Sequence, residues 1–82
     1  MSEIVRNQKQ LGQVLRFHRQ KKGLNQADVA TKANLRQSTI SDIENGIGGT
    51  ITTICEIMRV LDIEMEIRPR SKLTSDDLLD ML

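Results

Sequence analysis

Arg36, Gln37, Ser38, Thr39, Ser41 and Asp42 crowd six hydrogen-bonding side chains around a single isoleucine, Ile40. On a helix they form a polar face that no core needs. Their chemistry is that of reading base edges. A side-chain amide such as Gln37 bonds bidentately to adenine or singly to other edges, and Arg36 bonds a guanine edge or a phosphate. Ser38, Thr39 and Ser41 are short enough to approach bases or water. Arg36, Gln37, Ser38, Thr39 and Ser41 are therefore candidate base contacts. Asp42 could accept from cytosine N4, but a solvated or partner-facing role suits its charge better. Asn25 and Gln26 stand where an earlier helix should begin, and a helix N-terminus with its amide donors suits a phosphate. For Asn25, simple capping is a strong alternative.

The elements that must position these groups are legible in residues 26–45. Two short helical patterns are separated by a three-residue turn. Small residues, Ala27 and Ala30, stand where the helices would cross, with Leu35, Ile40 and Ile43 as apolar contacts. That is the layout of a helix-turn-helix, whose second helix lies in the DNA major groove. Asn25 with Asp28 three positions on predicts a capping box, and the core face of that helix is read as Ala27, Val29, Ala30 and Ala33. Asn34 fits a left-handed turn position. The next helix should run from Gln37 to Glu44 and stop at Asn45–Gly46, with Arg36 a poor N-cap. Upstream, Leu11, Leu15 and His18 predict a helix over residues 11–22 closed by Gly23, with Val14 and Phe17 off its stripe. Downstream, Thr50 or Thr52 caps a helix whose buried stripe is Ile51, Ile54, Ile57, Met58 and Leu61.

After Asp62 the period changes to two. Ile63, Met65 and Ile67 alternate with Glu64, Glu66 and Arg68, and Pro69 ends the run, which predicts a strand with one wet face. No other convincing strand is available to pair with it, so its copy in a second subunit is the economical partner. Residues 1–10 read as an arm or short strand. Residues 70–82 read as a flexible acidic tail, with Thr74 or Ser75 capping a short helical segment.

Composition narrows the function classes. The 82 residues carry a formal charge of +1, but the signs are segregated: residues 1–50 hold eight Lys/Arg against four Asp/Glu, and residues 51–82 hold four against seven. Opposite halves imply a face for phosphates and a face for something else. The single cysteine, Cys55, excludes an internal disulfide, so stability must come from packing or dimerisation. With Phe17 the only aromatic residue, stacking platforms for single-stranded nucleic acid are absent. No apolar run is long enough for a membrane and no secretory leader is evident, which suggests a cytoplasmic protein. His18 reads as a packed, hydrogen-bonded histidine, and Cys55 as a helix residue without redox duty. Gly46, Gly48 and Gly49 match neither dinucleotide nor P-loop spacing. No pair of groups resembles a nucleophile with its base. The expectation is no enzyme, no cofactor and no metal.

Residues 11–61 resemble the Xre/Cro/C1 helix-turn-helix domain of phage repressors. Gln26 opening the second helix, Ala30 at the crossing, Ile40 and Ile43 inside the third, and Glu44–Asn45–Gly46 carry the likeness. With the strand IEMEIRP added, residues 11–69 are most similar to HipB-like antitoxins. The resemblance implies a mainly α, four-to-five-helix lambda-repressor-like domain with one C-terminal β-strand pairing across a homodimer. It implies a repressor on a palindromic operator that also binds a HipA-like serine/threonine kinase toxin. It adds phosphate contacts from Gln26 and Asn45, and a buried Arg19–Glu44 ion pair that removes Arg19 from the DNA-facing set. The sequence departs from the pattern at Asn34, which replaces a turn glycine, and at His18, which replaces an aliphatic residue. A stand-alone phage or host repressor without a toxin partner is the alternative.

Overall fold

The computed structural model describes residues 3–70. Helix α1 (Gln8–Lys21) begins at Gln8 rather than Leu11 because Asn7 caps it, its side chain accepting from the Gln10 amide at 2.8 Å. Residues 8–10, expected in an arm, are thus helical. At the other end the Lys22 amide reaches back to His18 and Arg19, and Gly23 turns the chain with φ +71°. Helix α2 (Gln26–Ala33) has the capping box that the sequence predicts: Asn25 accepts from the Asp28 amide at 2.8 Å, and Asp28 accepts from the Asn25 amide at 2.9 Å. Asn34 closes it in the left-handed region at φ 56°, tolerated by Asn because its short polar side chain relieves part of the penalty.

Helix α3 (Gln37–Glu44) and helix α4 (Ile51–Leu61) follow. Thr50 caps α4, accepting from the Thr53 amide at 3.1 Å. Asp62 ends α4 with φ 56°, and the Ile63 amide donates to the Met58 carbonyl at 3.0 Å.

Helix α2 packs on α3 and α4, and α1 packs on the same two. Leu15, Val29, Ile40 and Leu61 are fully enclosed at the centre, joined by Ala30, Ile43, Ile54, Ile57 and Met58. Leu11, Leu24, Leu35, Val60 and Ile63 close its rim. Burying one such aliphatic side chain stabilises by about 1.5–3 kcal/mol.

Two core expectations are corrected. Ala27 is exposed; the buried residues of α2 are Val29, Ala30 and Ala33, with Gln26 rather than Ala27 half-buried beside them. Ile51 is 71% exposed. The buried residues of α4 are Ile54, Ile57, Met58 and Leu61, and just before the helix the Gly49 backbone lies close to the core, where a Cβ would stand 2.9 Å from Ile43 and 3.8 Å from Ile54.

Residues 63–70 form no ladder in the single chain, and no strand occurs among the described residues. Ile63 is half-buried while Met65 and Ile67 are exposed. A fifth helix and the acidic tail were expected beyond residue 70 and lie outside the described residues.

Candidate nucleic-acid interface

Helix α3 is divided cleanly. Ile40, Ile43 and Glu44 are buried, while Arg36, Gln37, Ser38 and Asp42 are exposed and Thr39 and Ser41 half-buried. The five candidate base-reading residues therefore share the solvent side of one helix and its N-cap. Arg36 occupies the cap position with extended backbone, φ −81° and ψ 146°, and makes no side-chain capping bond. In the first turn of α3 the Thr39 amide donates to the Arg36 carbonyl at 3.0 Å, while no side chain caps the amides before it.

What holds this helix at its angle is a buried charge network. Arg19 on α1 forks onto Glu44 at the end of α3, with Nε donating to Oε2 at 2.6 Å and Nη2 to Oε1 at 2.9 Å. Its Nη1 donates to the Leu24 carbonyl at 2.9 Å. Gln26 Nε2 adds a bond to Glu44 Oε1 at 3.2 Å. One carboxylate so ties α1, α2 and α3 together. The hydrogen bond to Glu44 raises the Arg19 pKa further above its ordinary value, outweighing desolvation, which works the other way. The guanidinium is permanently charged, and a buried charge survives only when paired and hydrogen-bonded. No buried side-chain nitrogen or oxygen among the described residues lacks a partner.

The phosphate candidates fall at the two ends of this unit. Asn25 is exposed, with its side-chain oxygen occupied by the α2 cap. Gln26 is half-buried and shares its amide with Glu44, which leaves one of its two N–H donors for an external oxygen. Asn45 is exposed at the C-cap of α3. Ile63, Met65 and Ile67 stand away from α3, along a groove formed with α1, α4 and the N-terminal residues. The Arg19–Glu44 pair that the family resemblance implies is present, so Arg19 is not available to a ligand.

Positions absent from the candidate set also shape the site. Gly12 lets α1 approach the end of α3: a Cβ there would overlap the Ile43 carbonyl and stand 2.6 Å from the Glu44 carbonyl. At Gly46 a Cβ would meet the Lys9 Cα at 2.9 Å. The signal for Gly12 was a glycine inside a helical pattern, where its cost of about 1 kcal/mol against alanine asks for a packing reason. Gln8 contributes as well, its Nε2 donating to the Gly48 carbonyl at 2.6 Å and bracing the α3–α4 loop.

His18 is half-buried and its Nε2 lies 2.8 Å from Glu3 Oε1. The hydrogen bond from His18 holds the Glu3 carboxyl below its usual range. No group of three or more His, Cys, Asp or Glu that could hold a metal occurs among the described residues, and no helix among them is long and apolar enough to cross a membrane.

A protein-family model described as Helix-turn-helix matches residues 15–67. The chain belongs to the helix-turn-helix family. That family's Xre type is the one matched here. Antitoxin HipB of Escherichia coli K12 is 35% identical over 57 residues, covering 68% of this chain and 65% of the relative. The match thus spans slightly less than two thirds of the HipB length. Among solved structures, a HipB–O4 20mer complex superposes with a TM-score of 0.79 at 28% identity, over 85% of this chain and 100% of that one. A HipA–HipB–O2–O3 complex gives 0.78 at 28% identity, with the same coverage.

Proposed function

We propose that this chain is a dimeric, sequence-specific DNA-binding repressor that serves as the antitoxin of a HipA-like serine/threonine kinase toxin. The observation that carries the DNA-binding reading is the exposed polar face of α3, set rigidly by the buried Arg19–Glu44 bond. A reading helix needs both parts: donors and acceptors free of the fold, and a frame that fixes where they point. The similarity to HipB, seen in a HipB–O4 20mer complex and in a HipA–HipB–O2–O3 complex, supports the antitoxin role.

In this reading α3 enters the major groove. Arg36 and Gln37 read base edges from its first turn, and Ser38, Thr39 and Ser41 make shorter contacts, direct or through water. Asn25, Gln26 and Asn45 fix the register on the phosphates. Basic residues of the first fifty supply affinity by releasing counterions, so binding weakens with salt. Two subunits joined through Ile63, Met65 and Ile67 set their reading helices about one DNA turn apart, roughly 34 Å, on a palindromic site.

The test is fluorescence anisotropy with duplex DNA from upstream of the coding sequence, against a scrambled duplex of equal length. Preference for the native duplex by a thousandfold or more is expected of a specific repressor. Equal binding to both overturns sequence reading. Co-expression with any kinase-like protein encoded next to this gene separates the finer readings. Co-purification supports the antitoxin, and its failure leaves a stand-alone repressor.

A further inference from the structure

Residues 3–6 and 68–70 come from opposite ends of the described chain and meet in space. The first stretch is pinned at both its ends: His18 Nε2 lies 2.8 Å from Glu3 Oε1, and the Arg6 amide donates to Gln10 Oε1 at 2.7 Å. Between the two stretches lies a cleft of about 250 Å³ lined by Ile4, Val5, Arg6, Arg68, Pro69 and Arg70. Three of these residues are arginines and none is acidic. Glu64 and Glu66 line the neighbouring groove instead. Among the described residues, no ion pair engages the guanidinium of Arg6, Arg68 or Arg70.

Three like charges gathered on one cleft repel one another and call for an anion. A guanidinium is a planar fork that matches a carboxylate. The chain itself supplies carboxylates next. Asp76 stands six positions past Arg70 and opens the run Asp76–Asp77–Leu78–Leu79–Asp80–Met81, while Ser71–Ser75 holds no acid. Three carboxylates are thus available for three guanidiniums. The apolar residues among them suit Ile4 and Val5, which are 53% and 39% exposed. Six residues span at most about 20 Å, so the run begins within reach of the cleft. A tether this short also gives it an effective concentration on the order of millimolar.

We infer that residues 76–81 dock on the cleft of their own chain, with Asp76, Asp77 and Asp80 meeting Arg6, Arg68 and Arg70. The contact needs neither DNA nor a toxin, and so goes beyond the function proposed above. It places the acidic segment in competition with any other anion that approaches this side of the molecule. Being charged and exposed, it weakens with salt, as the screening length falls from about 10 Å at 0.1 M to about 3 Å at 1 M.

Amide NMR spectra of the full chain at low salt test it. Replacing Asp76, Asp77 and Asp80 together by Asn should shift the Ile4, Val5 and Arg6 amides, which are remote in sequence and reachable only through space. The Leu15 and Ile40 amides should stay in place, which checks the fold. Raising salt to about 1 M should move the same resonances of the parent in the same direction, and far less in the triple variant. As a second readout, Arg6→Glu should shift the amides of residues 76–81, and adding Asp77→Arg should return them toward the parent positions. Unmoved Ile4–Arg6 amides in the triple variant overturn the inference. So do shifts at Arg16, Lys21 and Lys22 instead, which would put the segment on α1. Shifts of Arg68 and Arg70 that arise only when Glu64 and Glu66 are replaced by Gln also overturn it, giving the arginines to those carboxylates. Finally, isotope-labelled triple variant is mixed with unlabelled parent. Its Ile4–Arg6 amides should keep their shifted positions, and their return to the parent positions would move the docking to a second copy and overturn the own-chain contact.

Discussion

Glu44 accepts three hydrogen bonds on one carboxylate, two from Arg19 and one from Gln26, and its removal would leave Arg19 charged, enclosed and unmatched. Glu44→Gln is expected to cost about 3 kcal/mol or more, because breaking a buried pair from one side strands the other charge. Urea unfolding followed by circular dichroism measures it, and a loss below about 1 kcal/mol would contradict the network's role. Gln37 is the opposite kind of residue, exposed and idle in the free protein. Gln37→Ala should leave stability unchanged, cost about 1–3 kcal/mol of operator affinity and relax preference at one base pair per half-site. Equal losses on operator and random DNA would remove Gln37 from the reading set. The exposed side of α3 was legible in the sequence because polar residues there had no core to serve. The inward role of Arg19 was not: by charge alone it is one more cation on a basic surface, and only the family resemblance paired it with Glu44.

All four helices were legible as elements, and their ends only where a side chain announces them. The Asn25–Asp28 box and the left-handed Asn34 stood where expected. The start of α1 was missed, although Asn7 and Gln10 have cap spacing, because the apolar pattern begins later at Leu11. Ile51 sat on the α4 stripe by arithmetic, yet as the first residue of the helix it is 71% exposed, and periodicity does not say where the core ends. The Asn34 turn offers a direct measurement. Asn34→Ala should destabilise by about 1 kcal/mol, the penalty for a Cβ in left-handed backbone, and Asn34→Gly should be neutral or stabilising. Thermal melts of the two variants check it. If both variants melt alike, this backbone penalty is not what Asn34 relieves.

At the scale of the whole molecule, affinity for a two-fold operator depends on how firmly two copies hold each other. Met65→Pro removes an amide from the proposed ladder, so dimer and operator affinity should fall together while the monomer's helical signal persists. Sedimentation and anisotropy on the same sample decide it, and an unchanged dimer would argue against strand pairing. The period-two pattern of residues 63–67 could be read from sequence, whereas the ladder proposed for it would lie between chains and has no expression within one.

The uncapped start of α3 sets a stability–function trade. Arg36 gives up the capping bond that Ser or Asp would make. Arg36→Ser should therefore raise the melting temperature, by about 0.5–2 kcal/mol of added stability, while lowering operator affinity. A variant that gained stability with no loss of binding would show that the position is not reserved for DNA. If both changes occur, selection has kept a less stable fold so that the first turn of α3 stays open for its ligand.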